Sequence, residues 1–232
     1  MELDRKSFLL GASAALILPA QIAEARTSPI FQLPESSTKR FAWTVDDGVS
    51  NTAVKRYLDI VEKTGQHLTL FVTSSYPSWR KNKSQILELL EQGKIQLGNH
   101  TLSHRDLSTS SDGIVRNQLQ QCHEFLLETY NYDARPYFRP TYGYWTKHLI
   151  KLAAELGYTV PVMWHGTLGD GYNRSTKTTM ELAHKWVSNR RIVIDHANVP
   201  KSQTELLEVV KLIKKRGMKS VTLREAFGKN YR

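Results

Sequence analysis

Asp46 and Asp47 stand side by side in the stretch "TVDDGVSN". Two adjacent carboxylates are costly to bury together unless a cation or an arginine shares their site. Inside a strand they would point to opposite faces. Just past a strand end both can reach one pocket, where one can bind a metal while the other handles protons. The same stretch is rich in turn formers, so a plain turn or helix cap accounts for it equally well. His100 and His104 form a second pair, four residues apart in "LGNHTLSH". If that segment turns helically, both imidazoles face one way, a recognised route to zinc binding. An isolated pair of this kind is more often two hydrogen-bonded loop histidines. One carboxylate and two neutral imidazoles would leave a zinc position open, the pattern of a catalytic ion and not a structural one.

The elements around these residues decide between the readings. Seven short β-rich runs follow Lys39: "RFAWTV", "HLTLFVTS", "KIQLG", "PYFRP", "TVPVMW", "RIVIDH" and "KSVTL". Stretches of helical spacing lie between most of them. "NTAVKRYLDIVEKTG" puts Val54, Tyr57, Leu58 and Val61 on one face and closes at Gly65. "SQILELLEQG", "SDGIVRNQLQQCHEFLLETYN", "TKHLIKLAAELG", "TMELAHKWVSN" and "SQTELLEVVKLIKKRG" continue the series. The alternation predicts an α/β fold with a parallel sheet and outer helices, closed as a barrel. The first strand is not followed by Gly-x-Gly-x-x-Gly, which weakens a dinucleotide-binding alternative.

On this map the polar groups fall at strand ends. Asp46 and Asp47 end the first strand, and His100 and His104 follow the third. Arg139 ends the fourth, His165 and Asp170 follow the fifth, and His196 ends the sixth. Parallel strand-helix folds build their sites on that rim. One polar residue at a strand end means little, but five consecutive clusters are hard to obtain by chance.

Composition sets the outer bounds. The 232 residues are 40% apolar and 23% charged, a globular balance, with a formal net charge of +10. The basic residues are scattered, so they read as a solvated face or as attraction to an anionic polymer. No nucleic-acid motif accompanies them. Cys122 is the only cysteine, which excludes an internal disulfide, and it sits in an apolar helical pattern.

Residues 1–25 have the layout of an export signal. Arg5-Lys6 precede an apolar stretch from Phe8 to Pro19, and Ala23-Glu24-Ala25 offers a cleavage site. The apolar stretch is shorter than the roughly 20 residues of a spanning helix. "DRKSFLL" is similar to a twin-arginine signal with Lys6 in place of the second arginine. The expected organisation is a signal over 1–25, a polar connector over 26–39 and a catalytic domain over 40–232, working outside the cytoplasm.

"TVDDG", "HTLSH", "RPTYG", "LGD" and "IVIDH" occur in the order and approximate spacing of five motifs of the polysaccharide deacetylase family, carbohydrate esterase family four, and residues 40–225 resemble it throughout. The resemblance implies a distorted (β/α) barrel and metal-dependent removal of acetyl groups from sugars, often N-acetylglucosamine in cell-wall polymers. It implies Asp47, His100 and His104 as ligands of Zn2+ or another divalent transition metal, and Asp46 as general base held by Arg139. It implies His196 as general acid supported by Asp170, and the Tyr142 N–H as an oxyanion donor. Ile194 would line an acetyl pocket or simply pack in the core. Tyr144 and Trp145 would stack on sugar rings or pack at the rim. His165, His67, His123, His148 and His184 receive no role. The chain departs from the family's usual pattern at Val45, Val49, Thr141 and Gly171, where Phe, Pro, Pro and Trp usually stand, and at Asn198, where acidic or other residues often stand. None of these departures removes a ligand or a proton-transfer group. The missing Trp leaves room for a related hydrolase of a small non-sugar amide or imide. A non-catalytic wall-binding relative is a further alternative, against which the intact Asp46, Asp47, His100, His104 and His196 argue.

Overall fold

The computed structural model describes residues 26–169 and 175–228. Seven strands alternate with helices: β1 (Arg40–Asp47), α1 (Asn51–Thr64), β2 (Leu68–Val72), α2 (Pro77–Lys81), α3 (Lys83–Glu91), β3 (Ile95–Asn99) and α4 (Asp112–Tyr130). Then come β4 (Tyr137–Phe138), α5 (Lys147–Glu155), β5 (Val160–Pro161), α6 (Thr176–Trp186), β6 (Ile192–His196), α7 (Gln203–Lys215), β7 (Lys219–Ser220) and α8 (Leu223–Phe227). The strands pair in the order β5-β4-β3-β2-β1-β6, all parallel, and β7 adds to the start of β1. The sheet curls into a distorted barrel with helices packed around it, as the alternation predicts.

The local chemistry explains the elements. β1 lies at the centre of the sheet and is buried from Phe41 to Asp47, which suits its nearly unbroken apolar run. The Ser50 side chain caps α1 by accepting from the Ala53 N–H, and Gly65 ends that helix at φ +69°. Val54, Tyr57, Leu58 and Val61 form its buried face. Two five-residue helices, α2 and α8, escaped the periodicity reading. Their local signals are Pro77 at the start of α2 and the Thr222–Glu225 capping box of α8. β4, β5 and β7 are each two residues long, shorter than the apolar runs that contain them.

Closure of the barrel uses residues 30–33, part of the segment expected to be a polar connector. β5 and β6 do not pair directly. Ile30 bridges Val162 on one side, and Gln32 bridges Arg191 on the other. Ile30 and Leu33 are buried, and the Leu33 N–H donates to the Arg190 carbonyl over 2.8 Å. Higher up, Thr167 bridges Ile194 directly. Residues 30–33 are therefore part of the wall. Their isolated bridges leave no strand periodicity to read.

Cys122 packs as a small hydrophobe: it is fully buried, and burial pushes its thiol up to about 12. No described helix is long and apolar enough to cross a membrane. Residues 1–25, the expected export signal, lie outside the described residues.

Candidate active site

The C-terminal ends of β1, β3, β4 and β6 meet at a cavity of about 300 Å3, and their loops supply its walls. Asp46, Asp47, His100, His104, Tyr142, Ile194 and His196 line it, with Trp164, Gly143, Pro140 and Asn198. Of the candidate site residues, Asp170 lies outside the described residues, as does Gly171 beside it.

Asp46 and Asp47 reach one pocket because the chain turns between them. Asp46 is still in register with β6, opposite His196. Asp47 has φ +72°, a left-handed conformation that is uncommon for a side chain other than Gly or Asn. That twist removes the strand alternation that would have parted the two carboxylates. Gly48 follows at φ +97°, and a Cβ there would stand 2.4 Å from Trp79. The Trp79 indole N–H in turn donates to the Asp47 carbonyl over 2.9 Å. Only glycine satisfies both demands.

The histidines converge by a different route from the one expected. No helix spans 100–104. Thr101 at φ +76° and His104 at φ +57° fold the loop back instead, and the Thr101 hydroxyl accepts from the His104 N–H over 3.0 Å. Strained backbone of this kind clusters at functional sites. His100 Nδ1 donates to the Arg139 carbonyl over 2.8 Å, which leaves Nε2 as the lone-pair nitrogen. His100 and His104 direct Nε2 at Asp47 Oδ1, at 3.3 and 3.1 Å.

One potential ligand atom from each of Asp47, His100 and His104 lies within 4.8 Å of the others. Asp47 Oδ1 is buried with no hydrogen-bond partner. The imidazoles are close to it yet poorly aligned as donors, so the three atoms are better described as converging lone pairs. A carboxylate oxygen and two imidazole nitrogens are a donor set that suits zinc or a similar transition ion. Burial pushes the Asp47 carboxyl up, but the two imidazoles outweigh it and hold the group well below the usual carboxylate range. Burial pushes His100 down, but Asp46 and Asp47 outweigh that and raise it above 6.5.

Behind this triad stands Arg139, fully buried. Its Nη1 donates to Asp46 Oδ1 over 2.6 Å and to Thr44 Oγ1 over 2.8 Å. Nε donates to the Val162 carbonyl over 3.1 Å, and the guanidinium lies over the Phe71 ring at 4.2 Å. The guanidinium also lies over the ring of Trp164, a pocket residue, at 5.4 Å.

Tyr142 sits on the rim, 58% exposed and at φ +57°. Its ring meets His104 edge-on at 4.5 Å and neighbours Tyr144, also exposed, at 5.9 Å. The Thr141 hydroxyl ties this turn to the Arg105 carbonyl over 2.6 Å, a bond that a proline there would lack. Ile194 is buried under the pocket, facing the site and the core at once. Trp145 is half-buried. His165 is exposed beside Phe31, away from the cavity.

Three contributors were not assigned from sequence. Trp164 forms a wall of the cavity. Asn198 donates to Asp47 Oδ2 over 2.6 Å. Asp195 is fully buried behind the site. Trp164 ends an apolar run and Asp195 interrupts one, and both oddities are visible in the sequence. The partner of Asn198 is not, because 151 residues separate it from Asp47.

A curled parallel barrel with an Asp-His-His cluster and an arginine-bound carboxylate at its C-terminal rim defines an α/β barrel whose fold matches that of a solved family 4 carbohydrate esterase. The polysaccharide deacetylase family profile matches residues 34–161, and the chain belongs to that family. It is 28% identical over 194 residues to a peptidoglycan-N-acetylglucosamine deacetylase of Bacillus cereus, covering 82% of this chain and 89% of that one. It is 26% identical over 134 residues to the peptidoglycan-N-acetylmuramic acid deacetylase PdaA of Bacillus subtilis, covering 58% of this chain and 49% of that one. A 30.6 kDa protein of Geobacillus stearothermophilus is 28% identical over 128 residues, or 47% of its length, so the chain spans about half of several of its relatives. The solved structure of Bacillus subtilis PdaA, a family 4 carbohydrate esterase, superposes with a TM-score of 0.75 at 22% identity, over 86% of this chain and 85% of that one. A family pseudoenzyme from Bacillus anthracis superposes with a TM-score of 0.74 at 21% identity, over 87% of this chain and 69% of that one. Shared fold therefore does not decide activity, and the side chains must carry that argument.

Proposed function

We propose that this protein is a metal-dependent deacetylase that removes acetyl groups from N-acetylated sugars of a cell-wall glycan, acting outside the cytoplasm after loss of residues 1–25. One observation carries the reading: three potential ligand atoms converge within 4.8 Å beside a carboxylate that is itself held by a buried arginine. A protein that only bound glycan would need neither group.

Asp47, His100 and His104 would hold the ion. A divalent transition ion such as Zn2+ supplies Lewis acidity there, polarising the acetyl carbonyl and making water a better nucleophile. Asp46 accepts the proton of the attacking water. Arg139 fixes the direction of that carboxylate, so that one oxygen is bound and the other faces the pocket. His196, across the cavity on β6, donates a proton to the departing amine nitrogen, with Asp170 as its support. The Tyr142 N–H stabilises the negative carbonyl oxygen. Ile194 offers an apolar floor for the acetyl methyl group, and Trp164, Tyr142 and Tyr144 offer faces for sugar rings. The net charge of +10 favours association with anionic wall polymers.

The test is acetate release from purified peptidoglycan and from acetylated chito-oligomers, with Zn2+ and with a chelator. Acetate is expected from a glycan only with metal. Turnover of a small non-sugar amide with no release from either glycan overturns the substrate assignment. Release that survives complete metal removal overturns the metal.

A further inference from the structure

Asp47 presents its two oxygens to different partners. Oδ1 faces the imidazoles of His100 and His104. Oδ2 accepts a 2.6 Å hydrogen bond from Asn198 Nδ2. The orientation of the amide is set independently, because its Oδ1 accepts from the Val49 N–H over 3.4 Å. Asn198 thus spans Gly48 and grips the chain on both sides of the turn that aims Asp47.

The loop that carries Asn198 is itself pinned. At its start, the Ala197 N–H donates to the Asp46 carbonyl, and the Ala197 carbonyl accepts from Ser50, each over 3.0 Å. At its far end, Lys201 Nζ donates to Asp195 Oδ1 over 2.6 Å. Asp195 has no exposed surface, and its Oδ2 accepts from the Tyr57 hydroxyl over 2.6 Å. His196 and Asp195 are neighbours on β6, so they face opposite sides of the sheet. A buried carboxylate is tolerated only when paired and hydrogen-bonded. Asp195 therefore draws Lys201 down behind the sheet, while Asn198 leans over the front of it.

We propose that Asn198 is a positioning residue that restricts Asp47 to one-oxygen ligation, and so favours zinc over larger, oxygen-preferring ions at the Asp47–His100–His104 site. The inference rests on the metal-site reading above. A donor at 2.6 Å engages Oδ2 and fixes its direction, which disfavours its turning onto the ion beside Oδ1. One oxygen and two nitrogens suit a low-coordinate ion, whereas a two-oxygen carboxylate adds a hard donor and suits manganese better. Partners of this kind generally change metal affinity by about 10–100-fold.

The experiment measures Zn2+ and Mn2+ affinity by competition with a chromophoric chelator, using the full chain. Wild type is compared with Asn198→Leu, which keeps the branched heavy-atom shape and loses the donor, and with Asn198→Ser, a smaller change kept in case the first fails to fold. Thermal unfolding of the metal-free proteins checks folding. The expected result is a loss of Zn2+ affinity of about 10–100-fold with a smaller loss for Mn2+, so that the preference narrows. Unchanged affinities, or equal losses for both ions, overturn the proposal. Wild type that binds neither ion would instead overturn the metal site itself, and Asp47→Asn, expected to abolish binding, separates the two failures.

Discussion

Arg139 and Asp46 form an ion pair of 2.6 Å with neither side chain more than 2% exposed. The pair ties β4 to β1 across the floor of the site. The guanidinium also serves Thr44 and the Val162 carbonyl, so no smaller cation can replace it. Arg139→Met should lower unfolding free energy by about 3–5 kcal/mol, because it strands a buried carboxylate. Arg139→Lys should lose less stability and still lose most turnover. Denaturant titration beside acetate release checks both.

Metal binding and proton transfer should separate by mutation. Asp46→Asn should keep metal and lose about 10²–10⁴ in turnover, the usual contribution of a positioned base. His100→Ala should lose the metal, and turnover with it. Elemental analysis and acetate release on the same preparations decide the point. Full activity in both variants would defeat the assignment.

Leu33 predicts a stability effect far from the chemistry. It is fully buried where residues 30–33 fill the gap between β5 and β6. Leu33→Ala should cost about 2–5 kcal/mol, measured by denaturant unfolding, as for any large core side chain. A free connector would show no change.

His123 supplies a pH dependence. Burial, helped by the charge of Arg135, holds its imidazole below 6.5. Below that value the unfolded chain binds the proton more readily than the folded one. The contribution of His123 is therefore complete above pH 6.5 and lost as pH falls through the depressed folded value. Its ring accepts from or donates to the Tyr158 hydroxyl over 3.0 Å, a bond that glutamine can keep. His123→Gln should flatten the acid side of the melting-temperature profile relative to wild type. The difference cannot exceed about 1.4 kcal/mol per pH unit, the limit for one proton. Parallel profiles for the two proteins would remove His123 from the account.

Much of this protein is legible in its sequence. Each of the seven apolar runs overlaps its strand, because parallel strands buried on both faces need such runs. Gly65 ends α1 as its position suggests, since a left-handed C-cap tolerates little else. Residue types at strand ends also located the rim. The loops were less readable. His100 and His104 do not converge by a helical turn over 100–104; the Thr101 hydroxyl and the left-handed Thr101 and His104 bring them together instead.

Sequence by itself determined the alternation, the rim and the acid-base and metal-ligating residue types placed along it, because these follow from local periodicity and short motifs. Tertiary structure alone decided how they act together. It turned Asp47 at φ +72° into the pocket of Asp46, and it brought Arg139 to Asp46 across 93 residues and Asn198 to Asp47 across 151. It also made a wall of residues 30–33. Such partners are fixed by sheet closure and by the need to pair every buried charge, and neither leaves a trace in nearest-neighbour sequence.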